Sequence, residues 1–233
     1  MACDPARTDM SRACAPLRIA VLASGRGSNF QALIDARDRG ALPVQFVGLF
    51  SDKPAAPALE RAALANIPAV ALRPKDYPDR EAFDTALFDR IDAVQPDLIV
   101  CAGYMRILSA VAVNRHPGRM INLHPSLLPK FPGLHTCERA IAAGEAEHGA
   151  SVHVVIPELD AGPVLAQVRV AILPNDDAQS LAQRVQRREH PLLVACVAAM
   201  AAGRLQCDTA PQFDGAPLRA PLRLGDDDVL CLE

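Results

Sequence analysis

Residues 18–24 (RIAVLAS) form a short apolar, β-branched run that stops at Gly25-Arg26-Gly27-Ser28-Asn29, and an apolar-periodic segment, 30–38, follows at once. A strand, a glycine turn and a helix in that order constrain the chain more than any other stretch, because they form the first half of a βαβ unit. The pattern then repeats. Residues 44–50 (VQFVGLF) and 69–72 read as strands, 58–65 as the helix between them, and 80–94 (REAFDTALFDRIDAV) as an amphipathic helix before a buried strand at 97–102. Strands alternating with helices predict an α/β fold with a doubly wound, mostly parallel sheet.

The second half reads differently. Residues 119–123 (RMINL) form a strand that runs into His124-Pro125-Ser126-Leu127-Leu128-Pro129, where the prolines remove backbone donors and end regular structure. A helix at 136–143 precedes two strands, 150–156 and 163–170, joined by a loop that carries Glu158, Asp160 and Gly162. A helix at 178–189 leads towards Pro191, and a second apolar helix ends near Gly203. The expected organisation is a loose extension over 1–16, one domain over 17–206 in halves of about 17–116 and 117–206, and a tail over 207–233. Three prolines and Asp226-Asp227-Asp228 make that tail read as short strand mixed with loose chain.

Composition removes several function classes. Half of the 233 residues are hydrophobic, so the chain buries a sizeable core. The formal charge is −3 with no basic stripe, which argues against a nucleic-acid surface. An anionic small molecule would have to be held by local donors. No apolar run has the length of a membrane span, and the first sixteen residues lack the apolar centre of a secretion signal. Seven scattered cysteines, an odd number without C-x-x-C spacing, fit a reducing cytoplasmic setting. Without an H-x-x-x-H pair, a metal site from His124, His153 and Asp160 is not expected.

Two sites follow from residue chemistry. The glycine turn lets backbone N–H groups at a helix start approach an anion, with Ser28 and Asn29 adding side-chain donors. An ordinary βα turn with a serine cap reads the same way. The turn is not G-x-x-x-x-G-K-[ST], and Phe30 stands where a dinucleotide fingerprint has its third glycine. The second site is at the end of the 119–123 strand. Asn122 and His124, two apart, face one side. Asp160 on the later loop would favour the imidazolium of His124. An amide and an imidazolium can stabilise the oxyanion of acyl transfer, and the histidine or aspartate can carry the proton. A histidine that merely anchors its loop would show the same spacing.

Four ordered blocks carry a resemblance. They are Ser24-Gly25-Arg26-Gly27-Ser28-Asn29, Ala102-Gly103-Tyr104-Met105-Arg106-Ile107-Leu108, Asn122 to Pro129, and Glu147-His148-Gly149-Ala150-Ser151-Val152-His153. Together they resemble glycinamide ribonucleotide formyltransferases of purine synthesis, from about Arg18 to Leu205. The resemblance implies a seven-stranded, mostly parallel sheet and a direct formyl transfer from 10-formyltetrahydrofolate, without metal, to the amine of 5'-phosphoribosylglycinamide. It implies catalytic roles for Asn122, His124 and Asp160, with His153 behind them. It assigns Gly25, Arg26, Gly27, Ser28, Asn29 and Glu189 to the ribonucleotide. The folate pocket would draw on Arg80, Met105, Arg106, Ile107, Leu108, Asn122, Val155 and Asp160. Small-molecule substrates, no nucleic acid, no membrane and a monomer or homodimer complete the expectation.

Departures are Ala150 for a common threonine, Ala161 for the first of two glycines, and Pro191-Leu192-Leu193-Val194 after Glu189-His190. Related folate enzymes share the trio. A tRNA formyltransferase would need a further C-terminal domain, and a formyltetrahydrofolate hydrolase usually carries an extra N-terminal one. A silent binding module is disfavoured because all three catalytic positions are filled. A dehydrogenase is disfavoured by the missing third glycine.

Overall fold

The computed structural model describes residues 15–208 and 210–232, so most of the expected 1–16 extension lies outside the described residues. The first half contains strands β1 (Leu17–Leu22), β2 (Val44–Ser51), β3 (Ala69–Ala71) and β4 (Leu98–Cys101). Helices α1 (Ser28–Asp38), α2 (Ala58–Leu64), α3 (Arg80–Asp92) and the short α4 (Ala110–Val113) lie between and after them. The second half contains β5 (Met120–His124), α5 (Thr136–Ala142), β6 (Glu147–Val154), β7 (Val164–Ala171) and α6 (Ala178–Ala201). Short strands β8 (Leu205–Gln206), β9 (Gln212–Phe213), β10 (Ala216–Pro217), β11 (Leu222–Leu224) and β12 (Leu230–Cys231) complete the chain.

The main sheet has nine strands in the order β12-β11-β7-β6-β5-β4-β1-β2-β3. From β3 to β5 every pairing is parallel, and β6 and β7 are antiparallel. The seven expected strands are therefore present, and the tail adds two. β11 pairs with β7, while β8, β9 and β10 form a small antiparallel sheet. The tail is thus built into the fold rather than loose. Arg188 of α6 holds it by donating to the Gly225 carbonyl at 2.6 Å and to Asp228 at 2.9 Å.

Residue alternation explains why the sheet is covered on both faces. Ile19 and Val21 of β1, with Leu98 and Val100 of β4, join Phe30, Leu33, Leu181 and Val185 in one core. Ala20 and Leu22, with Ile99 and Cys101, join Phe83, Leu87, Phe88 and Ile91 of α3 in the other. Near-continuous apolar strands are the signature of such double coverage. The starts of α3 and α6 are set by side chains. Asp79 caps α3 by accepting from the Ala82 N–H at 2.8 Å, and Asp177 and Ser180 form a capping box on α6.

Helix α6 corrects the expectation of a break before Pro191. It is one helix of 24 residues with Pro191 inside. An interior proline costs about 3 kcal/mol, since it removes the donor to the Arg187 carbonyl and crowds the preceding turn. Burial of Leu181, Val185, Leu192, Leu193, Cys196 and Val197 outweighs that, at about 1.5–3 kcal/mol for each large aliphatic side chain. Pro191→Ala should therefore stabilise the chain by about 1–2 kcal/mol after the unfolded-state entropy is discounted. Urea unfolding at constant m-value checks this, and an unchanged midpoint would count against the account.

Candidate active site

β1 is the strand at which the parallel order reverses, with β2 on one side and β4 on the other. Ligands of open α/β sheets bind in the crevice at such a switch point. Here the crevice opens between the glycine turn after β1 and the loop after β4. The two are stitched by the Ser24 N–H donating to the Gly103 carbonyl at 3.1 Å and the Met105 N–H donating to Ser24 Oγ at 2.9 Å.

Asn122 and His124 share the strand face of Met120, which packs in the α3 core. β6 pairs antiparallel with β5 so that Asn122 lies opposite His153. The Asn122 amide Nδ2 is 3.1 Å from His153 Nε2, and His153 Nδ1 is 3.0 Å from the Val154 carbonyl. A carbonyl only accepts, so Nδ1 carries the proton and Nε2 accepts from the amide. Burial pushes the His153 pKa below its ordinary value, with His124 adding to the fall and the Val154 carbonyl and Asp160 opposing it. A neutral His153 therefore orients the Asn122 amide and leaves its second N–H for the cleft.

His124 is buried and has an oxygen at each ring nitrogen. Nε2 donates to the Phe131 carbonyl at 3.0 Å, and Nδ1 is 3.4 Å from Asp160 Oδ2. Asp160 also accepts from the Gly133 N–H at 2.8 Å and lies 3.6 Å from His153 Nε2. Its φ is +51°, a left-handed conformation costing about 1–2 kcal/mol outside glycine. Gly162 accounts for part of this turn. A Cβ there would come within 1.9 Å of the Val154 carbonyl oxygen, so this position accepts no side chain. Its neighbour Ala161 is exposed, which is why the first glycine of the pair is replaceable. The backbone after His124 is held by hydrogen bonds as well as by its prolines. Leu128 N–H donates to Ser151 Oγ at 3.1 Å, and Gln167 donates to the Leu128 carbonyl at 2.8 Å.

A cavity of about 490 Å³ opens over these residues. Met105, Arg106, Ile107, Leu108, Asn122, Val155 and Asp160 all line it. Its rim includes Met105, Ile107, Leu134 and Leu159, four large apolar side chains that stay more than half exposed. A second cavity of about 700 Å³ adjoins it and is lined by Arg26, Gln183, Gln186 and Glu138. Pro125, His135, Thr136 and Glu189 line both. Glu189 is buried, which raises its pKa, while a hydrogen bond from Asn29 Nδ2 at 3.3 Å opposes the rise. Cys101 also lines the first cavity, but burial pushes its thiol up to about 12, so it is not a thiolate nucleophile.

Comparison with known proteins places the arrangement. Residues 17–197 match the family described as formyl transferase. A phosphoribosylglycinamide formyltransferase of Escherichia coli (strain K12) is 43% identical over 203 residues, 87% of this chain and 96% of that protein. One from Mycobacterium tuberculosis is 44% identical over 80% of this chain and 86% of that protein. The solved structure of the phosphoribosylglycinamide formyltransferase from Coxiella burnetii has a TM-score of 0.83 at 45% identity, covering 87% of this chain and 96% of that one. This chain belongs to the phosphoribosylglycinamide formyltransferase family.

Of the residues expected at the two binding sites of this formyltransferase, Gly25, Gly27, Ser28 and Arg80 line neither cavity. Arg80 is the exposed first residue of α3. Arg106 instead lies over the Phe83 ring at 4.9 Å and lines the first cavity. Sequence reasoning missed Leu134, His135 and Thr136, which begin five residues after the end of the signature block at Pro129. It also missed Gln186, which is three residues before Glu189 on the same helix face and donates to Ser28 Oγ at 3.2 Å. The likeness to the Escherichia coli protein spans more residues than lie between Arg18 and Leu205, so it extends beyond the stretch expected from the motifs.

The glycine turn has a local reason for Gly27. This residue precedes α1 with φ +70°, and a Cβ there would lie 2.7 Å from the Ala58 methyl at the start of α2. Gly27→Ala should destabilise the formyltransferase by about 1–3 kcal/mol, and adding Ala58→Gly should recover only part of it, because the φ strain persists. Chemical denaturation of both variants tests this. Full recovery in the double variant would rule out the backbone contribution.

Proposed function

We propose that the chain moves the formyl group of 10-formyltetrahydrofolate to the glycinamide amine of 5'-phosphoribosylglycinamide, giving the formylated ribonucleotide and tetrahydrofolate. The observation that carries this reading is the meeting of Asn122, His124 and Asp160 in a partly apolar cleft that shares Pro125, His135, Thr136 and Glu189 with a polar one. The first cleft fits a flat heteroaromatic ring: it offers an apolar rim and the loop backbone of 103–108. The second fits a phosphorylated ribose. Gly27, the N-cap of α1, has no side chain to satisfy the first N–H groups of that helix, and Arg26 stands beside them. Glu189, held by Asn29, is placed to accept from ribose hydroxyls. Free thiols at Cys101, Cys137, Cys196, Cys207 and Cys231 suit the reducing cytosol in which we place the reaction.

In this reading Asn122 donates its free N–H to the oxygen of the formyl group as the amine attacks the formyl carbon. His124, paired with Asp160 through Nδ1, lines the same cavity and can present its Nε2 N–H to that oxygen in exchange for the Phe131 carbonyl. The attacking amine loses one proton and the departing folate nitrogen gains one as its bond to the formyl carbon breaks. His124 with Asp160 is the relay that balances the two. With Cys101 neutral and no serine in an elbow, attack is direct rather than through an acyl-enzyme.

Turnover of 10-formyltetrahydrofolate with and without the ribonucleotide tests the reading. Transfer should require the ribonucleotide; loss of formyl to water alone would favour a hydrolase. Asn122→Ala should lower kcat about 100-fold or more, as expected for removal of an oxyanion donor. His153→Phe, which leaves that amide unoriented, should lower kcat about 10-fold or more, as is typical when the partner that orients a reacting group is lost. A normal kcat in either variant would remove that residue from the scheme.

A further inference from the structure

The segment between β5 and α5 touches both ionisable members of the trio through its backbone. The Phe131 carbonyl accepts from His124 at 3.0 Å, and the Gly133 N–H donates to Asp160 at 2.8 Å. The positions of these two backbone groups therefore help to set the 3.4 Å spacing between His124 and Asp160. The segment does not rest in a relaxed conformation. Phe131 has φ +55°, Gly133 +78° and His135 +59°, so two non-glycine residues lie in the left-handed region within five positions. Something outside the loop must hold it there.

Arg139, in the last turn of α5, is the side chain that reaches both sides of Gly133. Its NH1 donates to the Pro132 carbonyl at 2.5 Å and reaches the Leu134 carbonyl at 3.4 Å. Its guanidinium lies over the Phe131 ring, 5.4 Å from the centroid. The two carbonyls that it binds flank Gly133, and the ring that it covers belongs to Phe131, so one planar cation grips the loop at the two residues that face the trio. Arg139 itself is exposed and lines neither cavity. We infer that Arg139 is a positioning residue for the transfer step, acting through the 131–134 backbone on the His124–Asp160 pair. The inference rests on the reading of that pair as catalytic.

The test compares Arg139→Ala, Arg139→Lys and Asp160→Asn in the full chain with both substrates. Misplacing reacting groups by a fraction of an ångström costs rate more than binding, so Arg139→Ala should lower kcat about 10-fold while both KM values stay within about twofold. Lysine supplies one point donor and no flat stack, so Arg139→Lys should recover part of the rate. Because the side chain is exposed, the melting temperature should move by no more than about 3 °C. A kcat within about twofold of the parent in Arg139→Ala, beside an inactive Asp160→Asn, overturns the inference alone. A rise in KM at unchanged kcat also overturns it. Full activity in Asp160→Asn would instead remove the catalytic reading on which it stands.

Discussion

The register of β5 is the constraint on which the rest depends. Along this strand Ile121 and Leu123 belong to the core beneath α1 and α6, while Met120 belongs to the core beneath α3. Asn122 and His124 share the parity of Met120, and both line the first cavity. A slip of one residue would turn Leu123 into the cleft and bury an amide and an imidazole in an aliphatic core. Burial of each such group without a partner costs about 1–3 kcal/mol on mutational scales, so the two apolar cores enforce the geometry of the polar site. The antiparallel strand β6 repeats the arrangement, with Val152 and Val154 in one core and His153 on the cleft side.

The buried polar groups are arranged as partners rather than as isolated charges. Asp160 has a backbone donor and two histidines around it, and His124 has an acceptor on each side. His153 behaves differently from His124 because its two nitrogens are already committed to the Asn122 amide and the Val154 carbonyl. A neutral ring meets both needs, in keeping with the downward pull of burial. Two histidines on neighbouring strands are thus assigned different work by what their nitrogens face, and not by sequence context.

The parts of this design that were legible in the sequence are local ones. The strand–turn–helix at residues 17–38 and the i, i+2 pair of Asn122 and His124 follow from chain periodicity, and the structure keeps both. Where non-local packing decides, the sequence reading fell short. Pro191 reads as a stop, but the apolar face of α6 carries the helix through it. The tail looks loose because its strands are two or three residues long, and it is ordered by adding to β7, by the grip of Arg188 and by the Arg204–Asp214 pair. The loop that holds His124 and Asp160 shows nothing in sequence of the left-handed conformation at Phe131 and His135.

The two cavities are best understood as one site divided by function. Their shared lining, Pro125, His135, Thr136 and Glu189, comes from the β5–α5 connection and from α6. Those elements also carry the contacts that join the halves of the chain, since Asn29 of α1 meets Glu189 and Ser28 meets Gln186. A reaction between two bound molecules gains most when their reacting atoms are held by a common frame, because the entropy of bringing them together is then met on binding. Here the frame is α6 against α1 on one side and the β5–β6 pair on the other, both rooted in one core. The buried Glu189 is consistent with that role. A carboxyl held at the seam by an amide from the opposite half costs stability, and it gives the polar cleft a fixed acceptor at the point where the two clefts meet.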